Sequence, residues 1–353
     1  MKRVCAALAA VAFLVSVAGG GWLGYPVPDG VTYFSSVTTN NNGFGCATGA
    51  VNHSPGAVEL EAGTWKIVSA PPYYMTRASV ARDGTLYAID THGTGNIWRL
   101  AASGGYWNVV VTGGFIGVSK FYAVAAVGAR EFWAFGVDNS GDGKIVHFEN
   151  DMPGAIFDLG RVSVGSEGAA HTRLVLPRTA NPSGEVYFAV NARSTEFGQA
   201  GWYLFVLKPS GALTYHRLPQ TGTGDSCDGL AAYSPGNVRV AMTVGLNQTR
   251  IYSFDGREFV LRLTLPERVA LKVYPSPSDG WGVTYTNRVY HWSDSGFSDV
   301  LVFDGVVRDL DMIDGQSGWA VGGDGTGLPK LWRYRSNPNI TPTSLGRVKA
   351  LFR

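Results

Sequence analysis

The feature that most constrains this chain is a short strand pattern that returns at near-regular intervals. Its clearest copy is Gly318-Trp319-Ala320-Val321-Gly322-Gly323-Asp324-Gly325. Trp319 and Val321 project to one face of a strand and Ala320 to the other, and glycines close both ends. Worn copies occupy residues 43–49, 85–90, 131–136, 185–190, 238–243 and 280–285. The centres fall near residues 46, 87, 133, 187, 239, 283 and 320. A spacing of about 40–50 residues, with several short strands per unit, is the signature of propeller blades.

The material between the copies is regular too. Upstream of each lies another strand, such as 119–124 or 269–274, ending in a turn like Ala81-Arg82-Asp83-Gly84. Downstream come a third strand, a glycine turn and a fourth strand. Asp255-Gly256, Ser210-Gly211 and Ser295-Gly296 are such turns, because glycine accepts the positive φ they need. In the third unit the turn is predicted at Pro153-Gly154. Four antiparallel strands make one blade. A blade cannot bury both of its faces alone, so blades stack in a ring. The expected fold is therefore all-β: a seven-bladed β-propeller of four-stranded antiparallel blades. The blades start near Val31, Arg77, Lys120, Ala170, Cys227, Val269 and Val306. Six blades result if the first unit is only a closing strand pair. The last unit shows three clear strands. Its fourth comes either from the tail, 344–351, or from Trp22-Leu23-Gly24-Tyr25 closing the ring as a clasp.

Composition bounds what such a ring does. Hydrophobic residues make up 45% of the 353, enough for a sizeable core. Residues 1–20 read as a secretory leader, with Lys2-Arg3, an apolar run from Val4 to Val17 and small residues before cleavage. The run is shorter than a membrane span needs. Residues 21–353 then form one propeller domain, secreted to an extracellular or periplasmic space, expected as a monomer with no membrane span. Without Lys2 and Arg3 the 29 basic residues fall to 27, against 27 acidic. A neutral chain without a basic stripe argues against nucleic acid as partner. Of the three cysteines, Cys5 leaves with the leader. Cys46 and Cys227 fall in non-adjacent units, so two buried thiols are expected rather than a disulfide, which needs Cα atoms within about 7 Å.

The motifs Gly318-Trp319-Ala320-Val321-Gly322 and Asp279-Gly280-Trp281-Gly282-Val283 resemble a blade motif of the photosystem II stability-factor and sialidase-like (BNR-repeat) propellers. Asp-box turns, frequent in that group, are absent; the nearest stretch, Ser293-Asp294-Ser295-Gly296-Phe297, lacks the spacing. The resemblance implies a fold and carries no active site across.

Two functional classes remain. The first is a non-catalytic propeller that binds a protein or glycan through its loop face. Trp65, Trp98, Trp107, Trp202 and Trp292 are its candidate sugar platforms, against blade-to-blade packing as the plainer reading. The second is a channel-mouth hydrolase, either a glycosidase or a metal-dependent, lactonase-like enzyme, for which Ca²⁺ is the one cofactor the pattern admits. Candidate ligand-binding residues are Asp90 and His92, Asp138 with Asn139, His171, Asp228 with Asp225, and Asp309 with Asp311. Asp309 and Asp311 alternate on one face of an inner strand, and buried carboxylates are costly unless paired or bound. His147, His216 and His291 read as structural. Nucleophile elbows, zinc spacings and phosphate loops are absent from the sequence.

Overall fold

The computed structural model describes residues 21–68, 73–90, 95–102, 104–162, 173–176, 185–193, 198–222, 224–245, 247–284, 288–293 and 296–336. Seven four-stranded antiparallel sheets form a β-propeller. The inner strands are Val31–Thr39, Met75–Val80, Lys120–Gly128, Arg173–Val175, Ser226–Ser234, Val269–Val273 and Val306–Met312, opening blades 1 to 7 in turn. The only helical segment among the described residues is the three-residue 3-10 turn Phe115–Gly117. The leader and the tail 344–351 lie outside the described residues.

The ring closes through the N-terminal strand. Gly21–Tyr25 pairs antiparallel with Pro329–Arg335 and becomes the outer strand of blade 7, with Trp22 opposite Tyr334 and Tyr25 opposite Leu331. The clasp alternative is the one observed.

The recurring second strands fill the wedges between blades. Trp319 is buried against Tyr25 and Trp65, with ring centroids 4.9 and 5.3 Å apart. Trp281 meets Trp22 and Tyr334 at the seam of blades 6 and 7. Phe135 meets Phe188 at 4.4 Å between blades 3 and 4. Each such ring taken fully from water contributes about 2–3 kcal/mol. The glycines bracketing the opening motif allow the strands to approach: a Cβ on Gly322 would lie 1.9 Å from the Val306 carbonyl oxygen.

One turn differs from expectation. In blade 3 the chain reverses at Asn150-Asp151, with φ of 53° and 64°, and not at Pro153-Gly154. A two-residue hairpin turn needs positive φ at both central positions, which Asn and Asp tolerate best after Gly. Pro153 instead sits in the outer strand Met152–Arg161, whose free edge needs no N–H.

Cys46 and Cys227 are buried free thiols. Burial, then the nearby Glu59 carboxylate, pushes the Cys46 thiol well above its ordinary range. No helix among the described residues is long and apolar enough to cross a membrane.

Candidate functional site

The C-terminal halves of all seven inner strands enclose a cavity of about 460 Å³ on the ring axis. Its wall is uneven. Ala125, Leu174, Leu176 and Ala231 line one arc; Lys272, Asp311 and Asn40 line the other.

The polar arc is a chain of links from each inner strand to the next. Lys272 of blade 6 pairs with Asp309 of blade 7 at 2.7 Å. Asp309 also accepts from the backbone N–H of Val37 at 3.1 Å, and Asp311 from that of Thr39 at 2.7 Å. Both acceptors thus reach from blade 7 to the free edge of blade 1. The series continues with the Ser35 hydroxyl donating to the Met75 carbonyl at 3.3 Å. The Ser79 hydroxyl oxygen then accepts from the N–H of Ala126 at 2.9 Å, and the Arg77 guanidinium donates to the Tyr122 carbonyl at 3.1 Å. An inner strand has no sheet partner on its channel side, so its backbone groups need acceptors and donors from elsewhere. Side chains of the neighbouring blade supply them.

The other candidates are dispersed around the ring. Asp90 is buried at the end of the second strand of blade 2, accepting from the N–H of Gly95 and the indole of Trp98 at 3.0 and 3.1 Å. Asp228 is buried between blades 5 and 6. It accepts a fork from Arg268 at 2.6 and 3.0 Å, and further bonds from the Ser226 and Thr243 hydroxyls. Asp225 holds the loop before blade 5. Burial alone would raise its pKa, but the N–H groups of Thr221, Gly222 and Gly245 and the Thr221 hydroxyl outweigh it, and the carboxyl is lowered. Asp138 heads a turn and accepts from the N–H groups of Ser140 and Asp142, the latter first among the causes that lower its pKa. His92 and His171 lie outside the described residues. Asp309 and Asp311 act together on one strand; Asp90, Asp138 and Asp228 each serve a different seam or turn. No group of three or more His, Cys, Asp or Glu side chains converges as a metal site among the described residues.

The histidines are structural as expected. His147 stacks on Trp133 at 4.2 Å and lies 3.1 Å from Glu131. His291 repeats the arrangement on Trp281 at 4.0 Å, and its hydrogen bond holds the Asp279 carboxyl below the usual range. His216 packs on Phe254, and burial lowers its pKa. The five tryptophans offered as sugar platforms are all buried, Trp292 to 1% exposure. That is the packing alternative, and it removes them as platforms. Among the described residues the exposed large aromatics are Tyr33, Tyr73, Tyr106, Phe115 and Tyr215.

No protein-family model matches the chain, and no curated protein matches it. Solved structures do. A catalytically inactive virginiamycin B lyase from Staphylococcus aureus, determined with quinupristin, aligns with a TM-score of 0.61 at 13% identity, covering 90% of this chain and all of that one. The propeller domain of Cps50 (Swd1) from Myceliophteria thermophila gives 0.59 at 12%, covering 86% and 97%. YCF48 bound to a D1 peptide gives 0.58 at 13%, covering 90% and 97%. Identities this low establish the propeller fold and nothing finer.

Proposed function

We propose that this chain is an extracytoplasmic, non-catalytic scaffold that binds a protein or glycan through a loop face of its ring. The observation that carries the reading is the engagement of the candidate carboxylates, of which Asp90 and Asp228 are buried and Asp309 and Asp311 half-buried. Asp90, Asp228, Asp309 and Asp311 already accept hydrogen bonds from fixed protein donors. A general base needs a free lone pair aimed at substrate, and a glycosidase needs two such carboxyls facing each other. Partner binding by the propellers among the structural neighbours, such as the peptide held by YCF48, is consistent with it. The leader-like residues 1–20 support export. Within propellers we assign the chain to the stability-factor and BNR-like group on its two blade motifs, 279–283 and 318–322.

The test uses residues 21–353 with glycoside and lactone panels, with and without Ca²⁺. The expected outcome is no turnover and no Ca²⁺-dependent rise in melting temperature. Hydrolysis that is lost in Asp309→Asn and Asp311→Asn, with melting preserved, would establish the channel-mouth hydrolase instead. Mass spectrometry of the exported protein should find a mature N-terminus near Gly21.

A further inference from the structure

The clasp strand Gly21–Tyr25 is the outermost strand of blade 7, and among the described residues no strand pairs with its far edge. A free edge presents unpaired N–H and C=O groups to any extended chain, and proteins blunt such edges with charge or proline. Five of the other six outer strands do so. Thr64–Ile67 carries Lys66, Met152–Arg161 carries Pro153 and Asp158, Leu213–Arg217 carries Arg217, Phe259–Leu265 carries Arg262 and Gly296–Val302 carries Asp299. The sequence Gly21-Trp22-Leu23-Gly24-Tyr25 carries neither, and the same holds for Asn108–Val111 of blade 2. What sets blade 7 apart is the groove beside its edge.

That groove, about 400 Å³, lies between the perimeters of blades 6 and 7. Leu301 and Val302 line it from blade 6, Leu331 from the third strand of blade 7, and Trp22, Leu23 and Gly24 from the clasp. Val302 is 69% exposed and Leu23 49%. The two charged residues in the lining, Lys330 and Asp304, pair with each other at 2.5 Å, so the groove offers no net charge. Trp22 packs on Trp281 and Phe303 of blade 6. Gly24, two residues on, shares that face of the sheet. A Cβ there would meet nothing within 4 Å. An edge-strand glycine beside open space is stabilised when an aromatic side chain on an adjacent strand covers it.

We propose that residues 344–352 of this same chain add to Gly21–Tyr25 as a fifth strand of blade 7, with Val348, Ala350 and Phe352 on the groove side. Three observations select this occupant. The first is its pattern: Val348, Ala350 and Phe352 alternate with Arg347 and Lys349, which is how a strand with one dry face reads. The second is reach. The described chain stops at Ser336, next to Arg335, which stands opposite Gly21. The far edge of the clasp is two strand spacings away, about 10 Å. Residues 337–343 extend to about 23 Å, enough to cross it. The third is the tether, which holds the segment at an effective concentration in the millimolar range, ahead of a second copy or a partner's strand. The clasp is then gripped on both edges by C-terminal chain, and its edge is closed to a second copy. The proposal stands apart from the binding reading above.

The experiment takes residues 21–353 with Gly24→Cys, a site with room for the side chain, combined in turn with Arg347→Cys, Val348→Cys, Lys349→Cys, Ala350→Cys and Phe352→Cys. Cys46 and Cys227 are buried and stay out of the reaction. Under mild oxidation an intramolecular disulfide should form about tenfold faster or more at one of the groove-side positions than at 347 or 349, because neighbouring strands bring Cα atoms within bonding range on one face only. Hydrogen exchange supplies a second readout. The amides of Gly21–Tyr25 should exchange about tenfold faster in residues 21–336 and in Phe352→Ala than in the parent, while those of Ser317–Gly323 keep their protection. Equal rates at all five positions, a disulfide joining two copies through Gly24→Cys, or unaltered exchange overturns the proposal. The scaffold reading stands in every one of these cases.

Discussion

The channel has two kinds of wall, and they solve one problem in opposite ways. From blade 6 through 7, 1 and 2 to 3, adjacent inner strands are tied by Lys272, Asp309, Asp311, Ser35, Ser79 and Arg77. From blade 3 to 4 the seam is apolar, with Ala123, Ala125, Phe135, Leu174 and Phe188 in one cluster. Aromatic packing is non-directional and tolerates small slips between blades. Charge-assisted bonds to backbone N–H groups fix register. The directional wall includes the seam of blades 7 and 1, where the clasp strand Gly21–Tyr25 of blade 7 runs through residues 26–30 into Val31–Thr39 of blade 1, so that the carboxylates of blade 7 reinforce a connection the chain itself makes.

The comparison breaks first on the apolar side. Phe188→Ala should cost about 3–5 kcal/mol in urea unfolding, because a fully buried ring between two blades leaves a cavity. On the polar side, Asp309→Ala with Asp311→Ala should cost about 2–4 kcal/mol, since two N–H groups and the Lys272 ammonium lose acceptors. The Asn pair should recover most of that loss, whereas Phe188→Leu should recover only part of its own. A fully additive, unrescued loss in the Asn pair would mean that charge, not acceptor geometry, holds the seam.

Acid sharpens the same contrast. The Asp225 carboxyl is lowered in the folded state, so its contribution is complete above about pH 4, the unfolded value, and disappears as pH falls through the lower folded value. Asp225→Asn should therefore lie about 1–2 kcal/mol below the parent at pH 7 and converge on it in acid. Thermal melts from pH 7 to 2.5 would show this, and Phe188→Ala should show no such convergence. The smallest expected effect is Ser79→Ala, about 1 kcal/mol for one hydrogen bond at the seam of blades 2 and 3.

Blade number, strand order and most turns were legible in the sequence because each depends on neighbours. Asp255-Gly256 announces its own reversal, and Trp281 its own burial. Asn150-Asp151 was overshadowed by the louder Pro153-Gly154, which the outer edge tolerates. The carboxylates were legible as unusual but not as to purpose: Asp311 bonds to a backbone group 272 residues away, and no local pattern records that.

The clasp has a consequence for how this molecule comes into being. Gly21–Tyr25 waits for partners at Leu331–Arg335, so the first stretch of the domain stays an orphan until nearly the last residue has been made. Six blades assemble from chain neighbours while the seventh depends on the longest loop closure the protein contains. A chain cut short before Pro329 would keep most of its sheets and still be an open horseshoe.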